Sequence, residues 1–286
     1  MATKRGPTLR SQWLGQQLRE LREEVGLTLK DVASYVQRDP SSISRMESGV
    51  HPARVPEVLA YVDLCRVSDP DRRAALLKLA KDAWQTGWWD RYREGELESL
   101  MNLVWLEERA AEIRSFQALV IPGLLQTAPY AEAVMQASDH GRPKGDIDRW
   151  LGVRLARQRI LERATPPRLH VVLDESVLHR LVGDHKIMFD QLLHLADVAD
   201  RNDITVVVLP WAAGAHASPE GCFDVLVMGE PYSAVGYAET PCGAVFLERD
   251  DVDRLAERHA RLSAAALCQA DSVARIRDVA EQLGDR

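Results

Sequence analysis

Cysteine is scarce in this sequence of 286 residues, and long apolar runs are absent. The four cysteines, at positions 65, 222, 242 and 268, contain no CxxC pair and no dense framework, so we expect no disulfide scaffold. A reducing cytoplasm is the simplest compartment. No apolar stretch approaches the length of a membrane span, and no apolar segment follows the basic residues near the start. We therefore expect neither a membrane anchor nor a secretory signal.

Positive charge is in the minority, with 36 Lys and Arg against 43 Asp and Glu and a net charge of −7. Such a balance argues against nucleic-acid binding only if the charge is evenly spread. Residues 1–56 contain nine Lys or Arg and six Asp or Glu, a net of +3, and the remaining 230 residues carry −10. A basic module attached to an acidic body can still bind DNA through the module alone.

The common catalytic and metal-binding motifs are also missing. The sequence has no HExxH, no Cys/His cluster with zinc spacing, no GxSxG, no GxxxxGK[ST] and no GxGxxG. His179, His185 and His194 form the densest histidine group, but they do not share one helical face. Asp174 and Glu175 follow a predicted strand and could be a catalytic pair, although a strand-end turn or helix N-cap is favoured. We expect a protein that is not an enzyme and needs no metal or other cofactor.

Residues 8–67 have the pattern of a compact all-α domain of four to five helices. The apolar face of the first helix is formed by Leu14, Leu18, Leu21 and Val25. Thr28 and Asp31 predict a capping box at the start of the second helix. Asp39 and Pro40 predict the N-cap and the first position of the third helix. A long helix, a second helix, a short turn and a third helix form a helix-turn-helix arrangement.

The rest of the chain is predicted as a helical connector over 68–106 and an α+β domain over 107–286. A long amphipathic helix is expected at ELESLMNLVWLEERAAEIRSF. Strands are expected at RLHVVLD, ITVVVLP, FDVLVMG and AVGYAE, with a helix between the first two. Because only loops separate the last three strands, we expect an antiparallel meander, and two helices close the chain.

The third predicted helix has a polar face that is short enough to enter a major groove. Its members recur at helical spacing and are Ser41, Ser44, Arg45 and Ser48. Hydroxyls and a guanidinium can bond both phosphates and base edges. An ordinary solvated helix face would have the same composition, so the residues alone leave both interpretations open.

The segment LRELREEVGLTLKDVASYVQRDPSSISRMESG resembles the helix-turn-helix of Cro/CI-type phage repressors, the xenobiotic-response-element (XRE) family. This resemblance implies that the third helix recognises DNA. It places Pro40, Ser41 and Arg45 at base-facing positions. Thr28 and Ser42 occupy phosphate-facing positions. Because Pro40 offers no donor, we expect direct readout to depend on the guanidinium of Arg45, which can bond guanine O6 and N7.

Further contacts to the DNA backbone are predicted at Ser44, Arg38 and Arg10, because hydroxyls and guanidinium groups bind phosphate. The resemblance also places Arg22 and Glu47 at the positions of an ion pair between the first and third helices. We therefore do not count Arg22 among the DNA contacts.

The larger part of the chain resembles the DUF5753 domain. The resemblance is carried, in order, by ALVIPGLLQTAPYAEAV, RLARQRIL, LHVVLDESVLHRLVG, MFDQLLHLA, ITVVVLPWAAGAH and FDVLVMGEPYSAVGYAE. This domain follows the same type of helix-turn-helix in many actinobacterial regulators, including antitoxin-type and WhiJ-like proteins. The resemblance implies control by a small DUF397-type partner protein.

Together these features predict a cytoplasmic, nucleoid-associated transcriptional regulator that binds double-stranded DNA. One short recognition helix reads only a few base pairs, so we expect a homodimer on an inverted repeat with half-sites about 34 Å apart. Control by a small-molecule effector in the C-terminal domain is the alternative to a protein partner. The apolar block IPGLLQT could dock a partner, but a buried structural turn is favoured.

Overall fold

The computed structural model describes residues 7–85, 87–88, 98–138, 143–241 and 243–284. The chain separates into two compact units, Met1–Arg91 and Tyr92–Arg286. The division falls inside the segment 68–106.

The N-terminal unit is all-α within its described residues. Its helices are α1 (Leu9–Glu24), α2 (Leu29–Tyr35), α3 (Pro40–Glu47), α4 (Val55–Leu64) and α5 (Pro70–Ala83). They share one apolar core, which includes the fully buried side chains of Leu14, Leu18, Val32, Ile43, Val58 and Tyr61. Helix α1 packs against α3, α4 and α5. The predicted all-helical domain is confirmed.

Both predicted helix starts in the helix-turn-helix are present. The Thr28 hydroxyl accepts from the backbone N–H of Asp31, and the Asp31 carboxylate accepts from the Thr28 N–H at 2.7 Å. This reciprocal pair is the expected capping box. At α3 the Asp39 carboxylate accepts from the Ser42 N–H at 2.9 Å, and Pro40 occupies the first turn, where its missing N–H costs nothing.

Two glycines allow the C-terminal end of α3 to lie directly against α1. A Cβ added to Gly15 would come within 2.6 Å of the carbonyl oxygens of Met46 and Glu47. Gly49 follows α3 with a φ of +73°, and a Cβ there would lie 2.7 Å from the backbone nitrogen of Gln12. Backbone therefore contacts backbone at this crossing, which sets the position of α3 on α1.

The C-terminal unit combines helices with one sheet. Its helices are α6 (Glu98–Glu107), α7 (Ala128–Ser138), α8 (Lys144–Gln158), α9 (Ser176–His179), α10 (His185–Val198), α11 (Asp250–Ala265) and α12 (Gln269–Gly284). Its strands are β1 (Ala110–Gln117), β2 (Arg168–Asp174), β3 (Ile204–Leu209), β4 (Phe223–Met228), β5 (Val235–Thr240) and β6 (Gly243–Leu247). Short 3₁₀ turns occur at Gly123–Leu125, Arg159–Glu162 and Trp211–Ala213.

Within the described residues the six strands form one mixed sheet in the order β3-β2-β1-β4-β5-β6. The pairs β1–β2 and β2–β3 are parallel, and the pairs β1–β4, β4–β5 and β5–β6 are antiparallel. Helices α10 and α12 cover one face, and α11 covers the other. The predicted α+β class is confirmed.

Two details of the sheet differ from the prediction. Residues 110–116 were expected to continue a helix, but they form β1, the central strand, because neighbours on both sides satisfy its backbone groups. The expected meander of the last three predicted strands is also wrong. Strand β3 pairs in parallel with β2 at one edge, and the meander runs through β4, β5 and the unpredicted β6.

In the part of the chain that the structure describes, no helix combines the length and apolar character that crossing a membrane requires.

Candidate nucleic-acid interface

A buried ion pair anchors the third helix to the first. Arg22 donates to Glu47 through Nε to Oε1 at 2.6 Å and through Nη2 to Oε2 at 2.8 Å. The Tyr61 hydroxyl donates to the same Oε1 at 2.6 Å. Hydrogen bonding to Glu47 raises the pKa of the Arg22 guanidinium, and burial raises the pKa of Tyr61. The ion pair implied by the resemblance is present and ties α1, α3 and α4 together.

The opposite side of α3 is open to solvent. Pro40, Ser41, Ser44 and Arg45 are exposed, whereas Ile43 and Met46 are buried in the core. The helix therefore presents the predicted polar residues outward from a fixed base. This geometry is what insertion into a major groove requires.

Hydroxyl groups at the start of α3 are organised around one carboxylate. Both Ser41 and Ser42 donate their hydroxyl protons to Asp39, the second at 2.7 Å. These hydrogen bonds hold the pKa of Asp39 well below its usual range, so the group stays ionised. A hydroxyl that donates to Asp39 keeps only its acceptor capacity for other partners. In this arrangement Ser41 is suited to accept from a base amino group rather than to donate to a phosphate.

Arg45 is oriented along the same face. Its Nη2 donates to the Ser42 hydroxyl at 3.1 Å, while its Nε and Nη1 make no hydrogen bond to any residue the structure describes. Two donors are therefore available at the tip of an exposed side chain. A base-contacting role for Pro40, Ser41 and Arg45 remains a prediction.

The predicted phosphate contacts at Thr28, Arg38 and Ser44 occupy different environments. The Thr28 hydroxyl lies 2.6 Å from Asp31 within the capping box, so it is engaged at a helix start. Arg38 is exposed and donates to Glu57 at 3.0 Å, a surface ion pair that costs little to break. Ser44 is exposed on α3 beside Arg45. All three residues are exposed, and their contacts with phosphate remain predictions.

Arg10 does not lie with the other predicted contacts. It lies in the first turn of α1 and is only 3% exposed. A phosphate contact requires a guanidinium at the surface. We therefore withdraw Arg10 from the predicted interface, because a charged residue near the chain start was assumed to be exposed.

In the C-terminal unit the IPGLLQT block forms a buried turn. Ile121, Leu124 and Leu125 belong to the core, and Gln126 is 3% exposed. The fully buried Gln191 donates to the Leu125 carbonyl at 2.8 Å and accepts from the Thr127 N–H at 2.6 Å. The favoured interpretation of this block as a structural turn is therefore correct, and its backbone groups are satisfied from another helix.

The PGLLQT and RLARQ blocks bond directly to each other. Gln158 donates to the carbonyls of Gly123 and Gln126 at 2.9 and 2.7 Å, and Arg154 donates to the Gln126 side chain at 2.7 Å. Beside them Arg157 forms a buried bidentate pair with Glu107 at 2.6 and 2.9 Å. The two unusual sequence blocks are thus two halves of one hydrogen-bonded junction.

A second carboxyl group lies near this junction on the sheet. Asp224 accepts from the Ser115 hydroxyl at 2.6 Å and from Gln117 at 3.2 Å. Burial raises the pKa of Asp224 to about 6. Burial and the nearby Arg157 lower the pKa of Arg154 to about 10. Sequence reasoning missed this polar centre because its members come from β1, α8 and β4, and no local pattern joins them.

The residues considered for catalysis have structural contacts. Asp174 accepts from the Ser176 N–H at 2.9 Å, as expected for a helix-start turn. Glu175 is buried and accepts from the Trp211 N–H at 2.8 Å. Among the described residues, no group of three or more His, Cys, Asp or Glu side chains could hold a metal ion.

Two family models match the chain. A model described as a helix-turn-helix domain matches residues 13–76, and a model described as a domain of unknown function (DUF5753) matches residues 100–278, more than half of the chain. No curated protein and no solved structure matches it.

Proposed function

Because this chain belongs to the DUF5753 family and carries a helix-turn-helix domain ahead of it, we propose that it is a sequence-specific DNA-binding regulator of transcription. The observation that carries the proposal is the exposed polar face of α3 on a helix anchored by Arg22 and Glu47. We propose that it acts in the cytoplasm, at the nucleoid, and that this role requires no catalysis.

Sequence discrimination is proposed to depend on Arg45 of the XRE-type recognition helix. Once a genome-wide binding map has supplied the operator, Arg45→Ala is expected to reduce the ratio of operator to random-DNA affinity by about 10- to 100-fold, equivalent to about 1–3 kcal/mol. Fluorescence anisotropy with both duplexes measures this ratio. Arg19→Ala is the matched control, because Arg19 is an exposed arginine on α1 paired with Glu23. A normal operator footprint from Arg45→Ala would show that the recognition helix is wrongly assigned.

Arg38 is proposed to bind phosphate without reading sequence. Arg38→Ala should weaken binding to operator and random DNA alike, and it should reduce the slope of log K against log salt by about one. Salt titrations of both complexes test this. Glu57→Gln is the control, because it removes the competing ion pair and keeps an acceptor for the Arg54 N–H. If Arg38→Ala changes only operator binding, Arg38 reads bases instead.

A homodimer on an inverted repeat follows from the size of one recognition helix, as half-sites about one helical turn apart match a two-fold axis. Light scattering of the free protein and of the operator complex gives the copy number. One copy per operator would contradict the proposal.

Regulation is proposed to act through the C-terminal unit. The family resemblance supports a small DUF397-type protein partner, as in antitoxin-like regulators. Co-expression with such a neighbour, followed by size-exclusion chromatography, should yield a stable complex. A small-molecule effector is the alternative, and a cleft lined by an unsatisfied buried histidine favours it.

A further inference from the structure

A cleft opens in the C-terminal unit between α11 and the sheet. Its volume is about 420 Å³. Two strands and one helix line it, through Glu112, Arg114, His170, Ala256, His259, Ala260, Ser263 and Ala264. The residues that α11 contributes are mostly small, so the helix leaves space above β1 and β2. The cleft therefore has a polar floor on the sheet and an apolar wall on the helix.

His259 occupies an inner position of α11 between the buried residues Val252 and Leu262. It is 3% exposed, and its Nε2 has no hydrogen-bond partner among the residues that the structure describes. Its ring meets that of His170 edge to face at a centroid distance of 4.9 Å. Burial lowers the pKa of His259 to about 4, although the nearby backbone of His170 and Ser115 raises it slightly. The imidazole is neutral at pH 7, and a buried polar atom without a partner is rare and destabilising in native proteins.

Arg114 gives the floor of the cleft a positive charge. Its Nε donates to Glu112 Oε1 at 2.8 Å, and Arg168 contacts the other oxygen of Glu112 at 3.3 Å. Two guanidinium groups therefore share one carboxylate, which leaves one net positive charge. The Nη1 and Nη2 groups of Arg114 make no hydrogen bond to any residue within the described ranges, and a guanidinium presents such donors in the geometry of a carboxylate.

We propose that this cleft binds a small molecule carrying one carboxylate, a second polar group and a compact apolar body. Arg114 binds the carboxylate, His259 forms a hydrogen bond with the second polar group, and the apolar body lies against Ala256 and Ala260. A phosphate dianion fits less well, because Glu112 stands beside Arg114 and the site offers only one net charge. Its role as an effector site rests on the small-molecule alternative of the proposed regulation, but ligand binding can be measured without DNA.

The test uses the full-length protein with ¹⁵N-labelled histidine, and 4-hydroxybenzoate as the probe. Long-range ¹H–¹⁵N spectra should show saturable shifts of the His259 and His170 ring nitrogens. The neutral isostere 4-hydroxybenzamide and inorganic phosphate should leave them unchanged at the same concentrations. Equal shifts with either control compound, or no shift with 4-hydroxybenzoate, would overturn the proposal.

Substitutions in the cleft test whether 4-hydroxybenzoate binds there. Arg114→Gln and Ala260→Leu should each raise the Kd for 4-hydroxybenzoate at least tenfold. Ala260 is exposed on α11, so a leucine there blocks the cleft without entering the core. Ala265→Leu is the matched control on the same helix, and Arg254→Gln removes an exposed arginine of α11 that lies outside the cleft lining. Both variants should stay within about threefold of the parent. Equal loss in Ala265→Leu would refute the assignment. If the parent protein binds the probe but binds no operator, the result counts against the proposed regulatory function and not against the ligand site.

Discussion

Each unit of the molecule contains a buried arginine–glutamate pair, and the two pairs have almost the same geometry. In the N-terminal unit Arg22 meets Glu47 at 2.6 and 2.8 Å, and in the C-terminal unit Arg157 meets Glu107 at 2.6 and 2.9 Å. Their surroundings differ. The first pair has a neutral tyrosine and a nearby exposed Glu23, whereas the second has a further arginine and a carboxyl group with a raised pKa.

The Arg22–Glu47 pair is a structural anchor, whereas the Arg157–Glu107 pair lies among further charged groups that affect one another. In the helix-turn-helix Arg22 has two carboxylates near it, Glu47 at 2.6 Å and Glu23 at 3.3 Å. In the C-terminal unit the guanidinium groups of Arg154 and Arg157 repel each other, and burial raises the pKa of Asp224. Identical ion-pair geometry therefore does not imply equal sensitivity to mutation or pH, because the penalty of desolvation depends on the neighbours.

The largest effect that distinguishes the pairs is expected from Glu107→Ala. It leaves the buried Arg157 without its bidentate partner, so we expect a loss of about 3–5 kcal/mol in the free energy of unfolding of the C-terminal unit. Urea denaturation followed by circular dichroism measures it. The double variant Glu107→Leu with Arg157→Met is the control, because it removes both charges and should be less destabilised. A double variant as unstable as the single one would show that packing, rather than uncompensated charge, carries the effect.

The next largest effect is the pH dependence of the free energy of unfolding that Asp224 causes. The pKa of Asp224 is about 6 in the folded protein and 3.8 as its ordinary value. The folded state thus holds a proton that the unfolded state has released, and stability is lost as pH rises from about 4 to about 6. Two pKa units correspond to about 3 kcal/mol as an upper bound. Asp224→Asn, which mimics the protonated group, should be neutral near pH 4 and stabilising by about 2 kcal/mol at pH 7.

Denaturation of parent and variant across pH 4–8 tests this trend. Asp190→Asn is a suitable control, because Asp190 forms an exposed i,i+4 pair with Lys186. A gain from Asp224→Asn that does not grow with pH would mean that Asp224 is ionised in the folded state throughout.

A smaller loss is expected from Glu47→Ala. Arg22 still donates to the Leu27 carbonyl and lies 3.3 Å from Glu23, so the cost to stability should be about 2 kcal/mol. Operator affinity should fall more than stability explains, because α3 loses its anchor. Measuring both quantities at a temperature where the variant is folded separates them. Unchanged operator affinity would show that the backbone contacts at Gly15 and Gly49 suffice to hold α3.

Local interactions account for what the sequence predicted well. Each helix start depends on two residues within one helical turn, Thr28 with Asp31 and Asp39 with Pro40. Both starts could therefore be predicted from the local sequence. The strand β1 could not be predicted in this way, because its partner strands begin at Arg168 and Phe223 and its own residues fit a helix.

Burial of charge was equally hard to foresee. Arg10 and Arg157 have the same side chain as the exposed Arg45, and only tertiary packing distinguishes them. The Arg22–Glu47 pair was anticipated through family resemblance, since no periodicity links residues 25 positions apart. The cleft beneath α11 escaped notice because β1, which supplies its floor, was predicted as helix.

The position of β1 at the centre of the sheet also governs the order in which the chain acquires structure during synthesis. Its antiparallel neighbour β4 ends at Met228, so the sheet cannot close until the chain has been synthesised through that residue. The helical unit forms contacts within its first 83 residues and can fold earlier. In a nascent chain the helix-turn-helix unit would then be folded before the C-terminal unit, which is proposed to control it, has formed.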